Sequence, residues 1–494
     1  MAYVLGLDIS TTGAKAILVD EFGTVKFSKT NPITSSAPRP LWSEQDPAQW
    51  WSQLALSIRQ VLAESATTGD EIQAIGVTGQ MHGLVLLDGH GDVLRPAILW
   101  NDQRTQTQCD EITDQIGFER LIQLTGNRAL TGFTAPKILW VREHEPEIYA
   151  KIQHILLPKD YIRFKLTGDY VMDMSDASGT NLLDVGNRRW SWDVLNALHI
   201  PEQWLPSLAE GTQITGVIHD EASHITGLKA GTPVVGGGGD QASGAVGVGA
   251  VEPHILSLAL GTSGVVFAPI SQYAYEPEGR LHAFAHAVPH QWHFMGVMLS
   301  AAGSFQWFRD TLAPNQSFDQ LTQIANAIPA GSEGLYFLPY LTGERTPHPD
   351  PLARGAFIGL TTRHTQAHLT RAVLEGVAFG LKDIFELIKM SGLPASFEVR
   401  VSGGGAKSMV WQQILADVLN APLVTSLNTE GAAHGAAILA AVGAQWYEDV
   451  SQACRSMVRT GATLHPSEAS LYYEKPYEIY QSLYPTLKET FTRI

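Results

Sequence analysis

The stretch Asp8–Val19, "DISTTGAKAILV", reads as the end of one apolar strand, a turn of small and hydroxyl residues, and the start of a second apolar strand. Far downstream, residues 258–268 read "LALGTSGVVFA" and repeat that order, so that Ser10-Thr11-Thr12-Gly13 falls on Gly261-Thr262-Ser263-Gly264. The charge is not repeated: where the first copy has Asp8, the second has Ala259. A duplicated hairpin with an asymmetric charge predicts two similar domains and a cleft between them whose chemistry lies on one side.

The surrounding sequence supports the duplication. In the first half, "YVLGLDI" (3–9), "AKAILVD" (14–20) and "TVKFSKT" (24–30) are expected as strands. A helix is expected from Pro47, capped by Asp46, with Trp50, Leu54, Ile58, Val61 and Leu62 at helical spacing. "IQAIGVTG" (72–79) and "LVLLD" (84–88) read as further strands. In the second half, "ILSLAL", "GVVFAP" and "WHFMGVM" read as strands, followed by helices from about residue 300 and over 366–390, 408–420 and 431–444. The C-terminal "PYEIYQSLYPTLKETF" places Tyr477, Tyr480, Tyr484, Leu487 and Phe491 on one helical face, which is expected to dock on the second domain. The expected division is 1–250 and 251–494, each domain α/β with a mixed sheet.

With 494 residues the chain is too long for one core. Its net charge of −16 argues against a broad nucleic-acid or anionic-membrane surface, while leaving room for a small anionic ligand held by local N–H groups and a metal. No run reaches the ~18 apolar residues of a membrane span. Two distant cysteines, Cys109 and Cys454, make no disulfide framework, and the N-terminus carries no basic leader, so a cytoplasmic protein is expected.

The chain lacks the G-x-x-x-x-G-K-[ST] loop but carries three glycine-and-hydroxyl turns, "DISTTG", "LGTSG" and "SGGGAKS". Any one could be a plain turn. Three at matching places of a duplicated fold point to an anion gripped by backbone N–H groups. In "PVVGGGGDQASGAVGVGAV" (233–251), four glycines stand directly before Asp240. Each costs about 0.5–1 kcal/mol of backbone entropy relative to alanine, so either the run is a linker or something must approach this backbone closely. Asp8 and Asp240 both end apolar strands. Such a residue can simply cap a helix; two facing one cleft would suit metal-assisted phosphoryl transfer, one holding Mg²⁺ and one accepting a hydroxyl proton. Gln80, His82, Asn101, Asp102 and Arg104 crowd strand ends and offer the donors and acceptors a sugar needs, or else form a satisfied core histidine and a salt-bridged loop. His282, His286, His290 and His293 are expected to belong to a strand pair and to bind no metal, because Pro289 breaks the run and the letters alternate.

At the level of longer motifs the chain resembles the FGGY carbohydrate kinases, a family of actin-like ATPase (ribonuclease-H-like) fold, and within it the branch acting on D-xylulose. The resemblance is carried by "GFTAPKILWVREHEPE", "GAFIGLTTRHTQAHLTRAVLEG", "PLWSEQDPAQWW", "GQMHGLVLLD", "RPAILWNDQR", "LLPKDYIRFKLTG", "LSLALGTSGV" and "YLTGERTPH", and covers essentially the whole chain. It implies ATP-dependent phosphorylation of the 5-hydroxyl of D-xylulose, with ATP and Mg²⁺ and with no nucleic-acid or membrane partner; a homodimer is left open. It implies Asp240 as catalytic base, and Asp8 with Asp240 at the Mg²⁺, directly or through water. It implies Met81, His82, Asp102, Asp240 and Gln241 at the sugar. For ATP it implies Thr11, Thr12 and Lys15 in the first phosphate loop, Gly261, Thr262 and Gly264 in the second, and Gly404 and Gly405 beside adenine with Gly303 and Gln306 nearby. On this reading the four glycines make room for sugar and γ-phosphate. Two positions depart from the pattern: Gln241 follows the base where asparagine is more usual, and Met409 stands where glycerol kinases carry an adenine-contacting asparagine. A kinase for D-ribulose, gluconate or glycerol, and a non-catalytic sugar sensor, stay open as alternatives.

Overall fold

The computed structural model describes residues 2–394, 396–428 and 430–494. Its first half is built on a seven-stranded sheet. Strand Tyr3–Ile9 pairs antiparallel with Gly13–Asp20, which pairs antiparallel with Val25–Pro32. On its other side Tyr3–Ile9 runs parallel to Ile72–Gly79, followed by Pro233–Val235 in parallel and Ile214–Val217 antiparallel at the edge. The second half repeats the plan. Strand Ile255–Leu260 pairs antiparallel with Gly264–Ile270 and parallel with Glu398–Ser402; Leu423–Ser426 and Thr460–Leu464 complete the far edge. The duplication inferred from two turns is therefore a duplication of sheet order.

Local chemistry explains the elements. Asp46 accepts the Ala48 amide at 2.9 Å to cap helix Pro47–Ser65, which buries Trp50, Leu54, Ile58, Val61 and Leu62. The expected strands lie at Val85–Leu87 and Trp292–Met298, and the expected helices at Ala302–Leu312, Gln366–Met390 and Met409–Leu419. The C-terminal helix Glu474–Phe491 buries Tyr477, Tyr480, Tyr484 and Phe491. Tyr477 donates to Asp383 at 2.6 Å, which fastens that helix to Gln366–Met390 in the second half.

The two halves share a third core, in which helix Gly431–Gly443 of the second half lies on the sheet of the first. Its small residues make this possible. A Cβ at Gly6 would lie 2.0 Å from the Ala433 carbonyl oxygen, and one at Gly76 would lie 1.9 Å from that of Ala436. The same helix crosses Asp240–Gly247 so closely that a Cβ at Gly435 would lie 1.7 Å from the Ser243 carbonyl oxygen.

Candidate active site

The strand Ile72–Gly79 organises the acidic residues. Asp8 pairs with Thr78 on one side of it, and Gly238 pairs with Thr78 on the other. Two strand spacings of ~4.8 Å put the backbones of Asp8 and Gly238 roughly 10 Å apart, with Asp240 two residues further on. The carboxylates feel each other. Burial first, and then the charge of Asp240, push the Asp8 carboxyl up to about 7 against the lowering pull of Lys15. Burial pushes Asp240 up to about 6, offset by hydrogen bonds from the Gln241 amide and side chain. Asp240 is the first residue of helix Asp240–Gly247, with Gly239 as the N-cap, so its charge lies at the positive end of the helix dipole.

The four glycines have a different cause from the one expected. A Cβ would meet the Glu210 oxygen at 2.5 Å from Gly236, the Val77 oxygen at 1.9 Å from Gly237, Ala287 at 2.8 Å from Gly238, and Met81 Cγ at 2.8 Å from Gly239. In the direction a side chain would take, the close approach is made by the protein itself, which is reason enough for glycine at all four positions.

Gly239, the residue before Asp240, thereby lies against Met81, whose chain neighbour is His82. His82 holds a positive φ of 67°. Its Nδ1 lies 2.7 Å from the Gly179 carbonyl oxygen, which can only accept, so Nδ1 carries the proton and Nε2 is left as an acceptor. Burial holds the imidazole down to about 3, neutral at physiological pH. Phe133 packs on its ring at 4.5 Å between centroids. The His82 carbonyl accepts from Lys137 Nζ at 2.8 Å and from Thr134 Oγ1 at 3.1 Å. Asp102 is fully buried, and its oxygens take the Ser43 amide at 2.6 Å and the Arg104 guanidinium at 2.7–3.0 Å. Arg104 in turn lies 3.6 Å from the centroid of Trp42. Asp102 thus braces the loop 99–104 through partners already in place.

The nucleotide candidates assemble as two groups. In the first half, Thr11 donates to Gln80 at 3.1 Å and accepts from Trp100 at 3.1 Å, Thr12 is exposed, and Lys15 pairs with Glu430 at 3.0 Å. That ion pair crosses from one half to the other, immediately before helix Gly431–Gly443. In the second half, the Gly303 amide donates to the Thr262 carbonyl at 3.1 Å, and Gly261 accepts from the Ala302 amide at 2.9 Å. A Cβ at Gly264 would lie 2.9 Å from Leu381. Gly405 lies against Leu260, a Cβ there falling 2.6 Å from the side chain, whereas Gly404 faces open space and Gln306 is exposed. Met409 is 69% exposed at the start of its helix.

The histidine run behaves as a strand pair: His282 faces Met295 and Phe284 faces His293 across an antiparallel ladder. This ladder contacts the first half, where Asn127 Oδ1 lies 2.7 Å from His282 Nδ1 and the Phe284 ring lies 6.1 Å from that of His82. No histidine belongs to a metal-type cluster among the described residues; the one such group is Asp160, Asp173 and Asp176, beside Lys159. Sequence reading missed that cluster, because its members lie on separate elements with no spacing signature. It also missed Lys137, Phe133 and Gly179, which shape the His82 environment. No described helix is long and apolar enough to cross a membrane.

Residues 3–247 match the N-terminal domain of the FGGY family of carbohydrate kinases, and residues 256–444 match its C-terminal domain. The chain is 42% identical to a xylulose kinase of Escherichia coli over 98% of its length and 99% of that protein. It is 39% identical to a xylulose kinase of Bacillus subtilis over 100% of its length and 99% of that protein. A solved structure described as a xyloylose kinase from Brucella ovis superposes with a TM-score of 0.92 at 40% identity, covering 99% of this chain and 100% of that one.

Proposed function

The chain belongs to the FGGY family of carbohydrate kinases, and on that premise we propose that it phosphorylates D-xylulose at its 5-hydroxyl, using ATP. The observation that carries the reading is the close approach of Gly239 to Met81, which seats the residue before Asp240 against the turn that carries His82, a neutral histidine presenting an acceptor nitrogen. In this reading a sugar held by His82 Nε2 presents another hydroxyl to Asp240. The division at 250/251 gives a sugar-binding first domain and an ATP-binding second one, with the Mg²⁺–ATP complex in the cleft between them.

In this scheme the Asp240 carboxylate accepts the proton of the 5-hydroxyl as its oxygen attacks the γ-phosphorus. The bond from γ-phosphorus to the bridging oxygen breaks, giving ADP and D-xylulose 5-phosphate. The transition state is loose, so alignment and charge neutralisation supply most of the catalysis. Met81, His82 and Gln241 align the sugar, with Asp102 holding the adjoining loop. Thr11, Thr12, Lys15, Gly261, Thr262 and Gly264 line the phosphates, and Gly303, Gln306, Gly404 and Gly405 the adenosine side. The residues fit a hydrated Mg²⁺: Asp8 Oδ1 is buried without a hydrogen-bond partner, a vacancy that bound water donors would satisfy. Asp8 and Asp240 would hold the ion, which when bound neutralises phosphate charge.

The deciding experiment measures ADP release across D-xylulose, D-ribulose, gluconate and glycerol. D-xylulose should give the highest kcat/KM. A clear lead for another acceptor would replace the substrate while keeping the kinase, and no turnover with any acceptor would favour a sugar sensor.

A further inference from the structure

We propose that Lys159, acting with Asp173 and Ser175, is a positioning device that clamps both ends of the glycine run and so fixes where Asp240 stands. Lys159, Asp160, Asp173 and Asp176 are all fully buried. The Lys159 ammonium contacts Asp160, lies 3.0 Å from Asp173 and 3.7 Å from Asp176, and donates to the Gly236 carbonyl at 3.3 Å. That fixes the start of the run. Its end is fixed through Asp173: Oδ2 accepts the Ser175 hydroxyl at 2.5 Å, and the Ser175 oxygen accepts the Gly239 amide at 3.0 Å. The chain of contacts thus passes from one buried cation to Gly236 and Gly239, the residues that bracket the approach to Asp240.

The clamp is costly, which argues for a use beyond packing. Three carboxylates face one ammonium, and neither Asp176 oxygen has a hydrogen bond. A buried ion pair returns less than an apolar replacement of similar volume unless geometry demands it. Here geometry is what it supplies. The glycines cannot anchor themselves, having no side chains, and the run must lie flush against Val77 and Met81. Directional bonds from a rigid charged cluster hold it there, and with it the offset between Asp240 and the Met81–His82 pair. Asp240 is the group that touches the substrate; Lys159, Asp173 and Ser175 act through it.

This inference rests on the reading of Asp240 as the base, and the test separates the two. Ser175→Ala keeps every charge and removes the link to the Gly239 amide. It should lower kcat roughly 10–100-fold while KM for ATP and for D-xylulose stay close to wild type, as misplacement of a reacting group does. The same substitution made on Asp240→Asn should cost little further, because there is no base left to misplace. Lys159→Met should lower kcat in the same way; if that protein does not fold, Ser175→Ala decides alone. An unchanged kcat in Ser175→Ala, or an equal loss on both backgrounds, overturns the clamp. A normal kcat in Asp240→Asn overturns the base reading itself, and the clamp falls with it.

Discussion

Asp8 and the segment leading to Asp240 flank the same strand, Asp8 opposite Thr78 from one side and Gly238 opposite Thr78 from the other. The two carboxylates therefore belong to one electrostatic unit: the charge of Asp240 is the second-largest influence raising Asp8, after burial. Their environments still differ. Asp240 has a hydrogen-bonding neighbour in Gln241, whereas Asp8 leaves one oxygen unpartnered. That difference accords with the proposal that Asp240 accepts the proton while Asp8 serves the cation.

Asp240→Asn keeps shape and removes basicity. Turnover with D-xylulose should fall by about 10²–10⁴-fold. Binding of ATP, measured by calorimetry, should persist. Helix Asp240–Gly247 has Gly239 as its N-cap and no side-chain cap, so the melting temperature should change little. A mutant that turns over normally would return Asp240 to a purely local structural role.

Asp8→Asn should raise the Mg²⁺ concentration needed for half-maximal turnover by roughly 10–100-fold, the scale seen when a residue supporting a metal through its shell is lost. Folding should survive, since the amide relieves the repulsion from Asp240. A Mg²⁺ titration at saturating ATP and sugar is the measurement, and an unshifted curve would remove Asp8 from the metal.

Gly435→Ala and Gly244→Ala should move stability in opposite directions, although both lie in helices. Alanine normally favours a helix by about 1 kcal/mol over glycine. At Gly244 a Cβ meets nothing within 4 Å, so thermal unfolding should show an equal or higher Tm. At Gly435 the Cβ would fall 1.7 Å from the Ser243 carbonyl oxygen, so the two crossing helices must separate and Tm should drop. Equal effects at both sites would contradict the close crossing.

The buried histidines make stability depend on pH. Burial holds His82 down to about 3 and His286 to about 4, so both are neutral when folded and take up protons on unfolding below about pH 6.5. A depressed folded pKa gives stability that is present above 6.5 and lost as pH falls toward 4. The raised carboxyls of Asp8 and Asp240 act with the opposite sign over the same range, so the histidine share is read by difference. The Tm of His286→Gln relative to wild type should therefore rise as pH falls from 7 to 5, because one proton fewer is taken up on unfolding.

The duplicated α/β plan, the helix that starts at Pro47, the docking face of the C-terminal helix and the strand pairing of the histidine run were all legible in the sequence. These are local: hydrophobic period, capping chemistry and turn composition act over a few residues, and each half had to solve the same burial problem with them. The sequence also marked Asp8 and Asp240, because a carboxylate at the end of an apolar strand is costly enough to stand out; His82 stood out among the polar residues crowding strand ends, and Met81 came only with the family resemblance. What those residues face is set by packing between distant segments. The glycine run looked like space for ligand, but on the side a Cβ would take it meets Val77, Met81, Glu210 and Ala287, which come from three separate stretches of chain. Asp102 looked free for sugar, but Arg104 and the Ser43 amide take its oxygens. The Lys159 cluster left no trace in spacing, because its members meet only when helix Pro158–Thr167 packs against the strand Val171–Asp173 and the short helix Met174–Ser178 that follows it. Proximity between residues far apart in sequence is set by how sheets and helices pack, and no local pattern encodes it.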